Sequence, residues 1–89
     1  MQVAWQPEAR AELLKILDYI SDRNLVAADR LSQAIEGATV TLAQHPHLYR
    51  IGRARGIREI VVHPNYLIIY QVVGRINILS ILHARQEYP

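Results

Sequence analysis

The side chains best suited to chemistry in this chain gather near its C-terminal end, where His83, Arg85, Glu87 and Tyr88 follow a run of apolar residues. An imidazole with an ordinary pKa serves as acid or base near neutral pH. A guanidinium grips phosphate or carboxylate with two parallel hydrogen bonds. A cluster of this kind at the end of a strand presents either chemistry or a contact surface. A second set of cations precedes it: Arg50, Arg53 and Arg55 fall in the stretch between His47 and Gly56, and Arg58 opens the apolar run after it.

Charge divides unevenly between the halves. Residues 1–44 carry four basic and six acidic side chains, a net −2, whereas residues 45–89 carry six arginines against Glu59 and Glu87, a net +4. Nine of the ten basic residues are arginine. The C-terminal half therefore suits an anionic partner, either nucleic acid or an acidic protein segment.

Other constellations carry less. His45 and His47 flank Pro46 with no third histidine or carboxylate beside them in sequence, which is a helix stop rather than a metal site. Ser21, Ser32 and Ser80 lack the strand–turn–helix setting of a nucleophilic serine, and no glycine-rich phosphate loop exists. Cysteine is absent, which removes disulfides, thiolate nucleophiles and cysteine metal sites. Trp5 and the five tyrosines read as packing residues. No cofactor is expected.

The elements that position these groups follow from periodicity. Gln2–Gln6 alternates as a short strand. Pro7 suits the first turn of a helix and Glu8 its positive end. Ala9, Leu13, Ile16, Leu17 and Ile20 then form one helical stripe. Ser21-Asp22-Arg23-Asn24 interrupts it, and a second helix runs from Val26 to Gln44 with Leu31, Ala34, Ile35, Ala38 and Leu42 as its stripe. So short a connection makes an antiparallel helical hairpin. Leu48 to Gly56 reads as loop or irregular edge strand. Strands are predicted over Ile57–His63, Tyr66–Val73 and Arg75–His83, separated by Pro64-Asn65 and Gly74-Arg75.

The result is one α+β domain over residues 1–89, of order β-α-α-β-β-β, with the helical hairpin on one face of an antiparallel sheet. Two expectations follow. The third and fourth strands are apolar on both faces, so the face the helices leave bare is expected to be covered by a partner protein, the alternative being that the C-terminal tail and the 48–56 loop fold over it. If the last strand is regular, His83 shares a face with Leu79 and Ile81. No apolar run reaches the roughly 18 residues of a membrane span, and no leader precedes the first strand, so the expected location is the cytoplasm.

Four segments, in register over nearly the whole chain, resemble the RelE/ParE superfamily, the toxin halves of type II toxin–antitoxin modules, also called plasmid stabilisation proteins. They are W-Q-P-E-A-R-A-E-L-L-K-I-L-D-Y-I, L-A-Q-H-P, G-I-R-E-I-V-V-H-P-N-Y-L-I-I-Y-Q-V and I-L-H-A-R-Q-E-Y-P. The resemblance implies a β-α-α-β-β-β fold and a cognate antitoxin in a hetero-oligomeric complex. It offers two targets: DNA gyrase for ParE-like members, without catalysis, or mRNA in the translating ribosome for RelE-like endoribonucleases. In the second case it implies Arg58, His83, Arg85 and Tyr88 as the catalytic set, with acid, base and charge on the phosphorane. In either case Arg50, Arg53, Arg55, Arg58, His83, Arg85 and Tyr88 are the expected target or antitoxin contacts. Lys15 is the only lysine, a sparse supply for gripping ribosomal RNA, and the opening and H-A-R-Q ending look ParE-like, so gyrase is the expected target. A degenerate, non-toxic antitoxin-binding module is the third possibility.

Overall fold

A computed structural model describes residues 1–47, 51 and 56–83. The elements are β1 (Val3–Trp5), α1 (Pro7–Ser21), α2 (Leu25–Gln44), β2 (Arg58–His63), β3 (Tyr66–Val72) and β4 (Ile76–His83). Order and type match the sequence reading, with ends displaced by a residue or so.

Helix α1 begins with Pro7 in its first turn and Glu8 beside the unpaired N–H groups. Its expected stripe is its core face: Ala9 is fully buried, and Leu13, Ile16, Leu17 and Ile20 pack around it. Asn24 caps α2, its side-chain oxygen accepting from the Ala27 backbone N–H at 3.1 Å. Ala28, Leu31, Ile35 and Leu42 are buried on α2. Ala34 is exposed, so the stripe is rotated slightly from the expected one and takes in Ala28 instead.

The four strands form one sheet in the order β1-β4-β3-β2. The meander β2–β3–β4 is antiparallel throughout. β1 corrects the expected wholly antiparallel sheet, because it lies parallel to β4, Val3 opposite Ile76 and Trp5 opposite Ile78. The backbone N–H of Ile76 donates to Gln2 and that of Gln6 to Ile78, which stitches the chain's start to its last strand. Gly74 takes φ +66° in the β3–β4 turn, a conformation a side chain disfavours, so Val73 and Arg75 belong to the turn and not to the strands.

The helices cover the sheet face that carries Ile60, Ile68 and Ile81 in one row, Tyr70 and Ile78 in the next, and Ile76. Each buried aliphatic chain is worth about 1.5–3 kcal/mol against exposure. Leu67 and Ile69, from the alternate positions of β3, are only 6% and 3% exposed. The bare second face expected to need a partner is therefore corrected: at β3 it is buried within the chain itself. Glu59, opposite Ile69, is the one buried charged residue among those described.

The last strand is not regular. Tyr70 pairs with Ile78 but Ile69 pairs with Ser80, leaving Leu79 as an extra residue. This β-bulge shifts the phase of everything after it. Ile81 and His83 lie opposite Ile68 and Tyr66 and so follow Ile78 onto the helix face, without Leu79. The expectation that His83 shares a face with Ile81 holds, and the inclusion of Leu79 does not.

Tyr70 is fully buried, and its hydroxyl donates to the Pro46 carbonyl at 3.1 Å. Tyr70→Phe leaves the ring and strands that acceptor in a part-buried position. It should cost about 1 kcal/mol, or roughly 4–8 °C in melting temperature followed by circular dichroism.

Candidate functional site

Two of the expected contact residues, Arg58 and His83, are among those described. Arg50, Arg53, Arg55, Arg85 and Tyr88 lie outside the described residues, and the segment 48–56 is represented by Ile51, which bridges to Arg58 in antiparallel fashion, and Gly56.

Arg58 is half-buried at the start of β2, opposite Tyr70. Its guanidinium Nη1 donates to the His47 carbonyl at 3.4 Å. That carbonyl lies just past the negative end of α2, whose last turn has no basic residue of its own, so a cation reaching over from the sheet is favourably placed. Arg58 and Tyr70 together bond successive carbonyls, His47 and Pro46, where the chain leaves the helical hairpin. The same arginine borders a cleft of about 260 Å³ lined by His47, Ile51, Gly56, Ile57 and Val72. Ile51, Ile57 and Val72 give it apolar walls and Arg58 supplies a cation, which suits an extended segment carrying an acidic group.

His83 closes β4 at the other end of the sheet. It is half-buried and meets Tyr66 edge-to-face, with ring centroids 5.5 Å apart and planes at 77°. His63, opposite Tyr66 on the other side, brings a third ring to 5.8 Å and 46°. The Asn65 backbone N–H donates to His63 Nδ1 at 3.0 Å, which leaves the ring proton of the neutral form on Nε2. His63 thus sits at the hairpin corner the sequence indicates.

The register separates the two ends. Arg58 pairs with Tyr70 and His83 with Tyr66, four residues apart along β3 and so about 13 Å at 3.3 Å per residue. Arg58 and His83 do not converge on one point.

Ser80 and Glu12 escaped sequence reading. The Ser80 hydroxyl is 3.0 and 3.1 Å from the two carboxylate oxygens of Glu12, so α1 is tied to β4 right after the bulge. Sixty-eight positions separate the pair, and neither residue carries a local signal that could have linked them. Tyr66 and His63 were legible only as hairpin residues, and the ring row became apparent once the register was known.

The comparisons fit this architecture. The family model described as "ParE toxin of type II toxin-antitoxin system, parDE" matches residues 3–88. The chain belongs to the ParE toxin family. It is accordingly a type II toxin–antitoxin toxin of the RelE/ParE superfamily. Among relatives, Toxin RelE2 of Caulobacter vibrioides is 39% identical over 84 residues, covering 93% of this chain and 94% of that protein. Putative toxin Y4kP of Sinorhizobium fredii is 33% identical over 89 residues, covering 99% and 93%. Two solved structures bear on the fold alone. The chromosomal ParDE TA system from P. aeruginosa superposes with TM-score 0.78 at 23% identity over 93% of this chain and 95% of that one. The YoeB dimer from Staphylococcus aureus gives TM-score 0.65 at 14% identity over 99% and 98%.

The link between α1 and the bulge of this ParE-family chain is testable. Glu12→Gln and Ser80→Ala should each lower stability by about 1 kcal/mol in urea unfolding, with a coupling energy of about 0.5–1 kcal/mol between them in a double-mutant cycle. Additive losses would mean that the two groups do not bond in solution.

Proposed function

We propose that this toxin poisons DNA gyrase and is held inactive by a cognate antitoxin in a hetero-oligomeric complex, in the cytoplasm where gyrase and its DNA reside. The observation that carries the target is the separation of Arg58 from His83 by four positions of β3. Metal-free cleavage of RNA needs a base, an acid and a stabilising cation gathered around one phosphate, each within about 3 Å of its atom. Two of the residues nominated for that set stand about 13 Å apart along the strand, an arrangement better suited to a broad protein contact than to a single reaction centre. The ParE character of the matching family model supports the same target.

The antitoxin is supported by the family's type II module and by the structural neighbour, itself a ParDE TA system. The arginines Arg50, Arg53, Arg55, Arg58 and Arg85 would meet its acidic groups, and His83 and Tyr88 would lie on the surface shared with the target. Neutralisation is then competition for one surface. Among the described residues no helix is long and apolar enough to cross a membrane.

A second reading, ribosome-dependent cleavage of mRNA, draws on the RelE2 name of the relative 39% identical to this chain. The two are separated by assaying the antitoxin-free protein for inhibition of gyrase supercoiling beside ribosome-dependent cleavage of mRNA. Inhibition with trapped cleaved DNA and intact mRNA is the expected result. Codon-phased cuts with normal supercoiling would sink the gyrase reading, and normal growth on overexpression with neither activity would mark a non-toxic module. Arg58→Ala should remain folded and need about ten-fold more protein for equal inhibition, the loss of one charge-assisted contact. Deleting Gln86–Pro89 should abolish inhibition.

A further inference from the structure

The outer surface of the helical hairpin carries large apolar side chains that the core does not use, Leu14 on α1 and Val40 on α2. We propose that this surface is where two copies of the chain meet across a two-fold axis, hairpin against hairpin. The inference goes beyond the target reading and does not rest on it.

The groove between the helices sets the geometry. A cleft of about 180 Å³ opens there, lined by Trp5, Leu13 and Ile35, with Arg10 on the α1 wall and Glu36 on the α2 wall. Arg10 and Glu36 therefore stand close to one level across the hairpin. One turn further along each helix comes an exposed aliphatic side chain. Leu14 follows Arg10 by four residues and is 62% exposed; Val40 follows Glu36 by four and is 61% exposed. The helices run in opposite directions. Leu14 thus lies about 6 Å from the charged level towards the turn between the helices, and Val40 about 6 Å from it the other way.

This spacing is self-complementary. A two-fold axis through the groove, midway between Arg10 and Glu36, sets α1 of each copy on α2 of the other. Arg10 of each copy then faces Glu36 of the other, and Leu14 of each meets Val40 of the other. Ala11 and Gly37, one residue beyond the charged pair on either helix, fall opposite each other as well. Both are exposed, and a Cβ added at Gly37 would meet nothing within 4 Å, so the helices can approach closely beside the axis. A partner unrelated to this chain would need the same groups inverted about the same axis.

The area sets the strength. Helix α1 has 15 residues, about 22 Å of length, and two helices side by side are about 20 Å across. The face measures roughly 400 Å² per copy in projection, against about 800 Å² per partner in a standard complex. The dimer is accordingly weak and concentration-dependent. Its two exposed ion pairs fix the register more than they add affinity, and the aliphatic contacts supply most of the attraction.

The test is sedimentation velocity on the antitoxin-free chain from about 1 µM to about 500 µM, a range that spans a micromolar dissociation constant. The monomer of 10.2 kDa should give way to a species of twice that mass as concentration rises. Leu14→Asp should abolish the dimer, and Arg10→Glu or Glu36→Arg should each weaken it about ten-fold by opposing like charges twice across the axis. The substituted residues are exposed, melting curves check their folding, and Val40→Asp replaces Leu14→Asp if the latter is not folded. Mixing the Arg10→Glu chain with the Glu36→Arg chain should restore association, because every charge at the axis then meets its opposite. Pairing of Arg10 with Glu36 inside one copy gives no such rescue. A monomer at every concentration would overturn the proposal and leave the face to a partner of another kind. So would a dimer indifferent to Leu14→Asp or to both charge variants, or a mixture that stays dissociated.

Discussion

The structure depends most on one side chain that is apolar in the core and polar at its tip. Tyr70 sits at the middle of β3 with its ring fully enclosed among the sheet isoleucines, yet its hydroxyl reaches the Pro46 carbonyl beyond the end of α2. A leucine there would fill much of the same volume and leave that carbonyl without its partner. The tyrosine therefore fixes where the chain must leave the helical hairpin, at a point where Pro46 has already removed one donor and ended the helix. Arg58, its neighbour across β2, takes the next carbonyl. The exit of the hairpin is thus pinned twice, by the core tyrosine and by the arginine that opens β2.

A second constraint acts on the other side of the sheet. One extra residue at Leu79 turns an otherwise continuous strand into two short ones of opposite phase. Without it, Ile81 would leave the core and His83 would face away from Tyr66, since a slip of one position exchanges the two faces of a strand. The Ser80–Glu12 link and the parallel pairing of β1 with residues 76–78 bracket the bulge from both sides. Irregularity at that point is thus built into the fold, and the ring row follows from it.

Most of this architecture was legible because the apolar residues recur at periods that leave little choice. The spacing from Ala9 to Ile20 suits a helix and no other element, and Pro64-Asn65 and Gly74 mark the two turns of the meander. Legibility failed where a residue is compatible with several environments. Alanine is cheap to bury or expose, so Ala28 and Ala34 could not be told apart on α2. The run Ile76 to Leu82 is apolar at five of its seven positions, and its two polar residues, Asn77 and Ser80, are three apart, so it states no single alternation from which the strand's phase could be read. Three residues of β1 are too few to state a direction of pairing. Arginines and a histidine of the C-terminal half could be nominated as contacts by residue type but not by distance, because the register that parts Arg58 from His83 arises only when the strands align.

That separation is not something the core requires. The core asks only for aliphatic side chains on one face of the meander, two helical stripes to cover them and a tyrosine to fasten the exit of the hairpin. None of these requirements refers to a ligand, which is why close superposition persists at sequence identities too low to imply shared activity. At the two ends of β3 stand Arg58, which also fastens the hairpin exit, and His83, whose ring meets Tyr66. Drawing these two side chains onto one phosphate would require both to fold inward along β3, against a register that sets their strand positions about 13 Å apart.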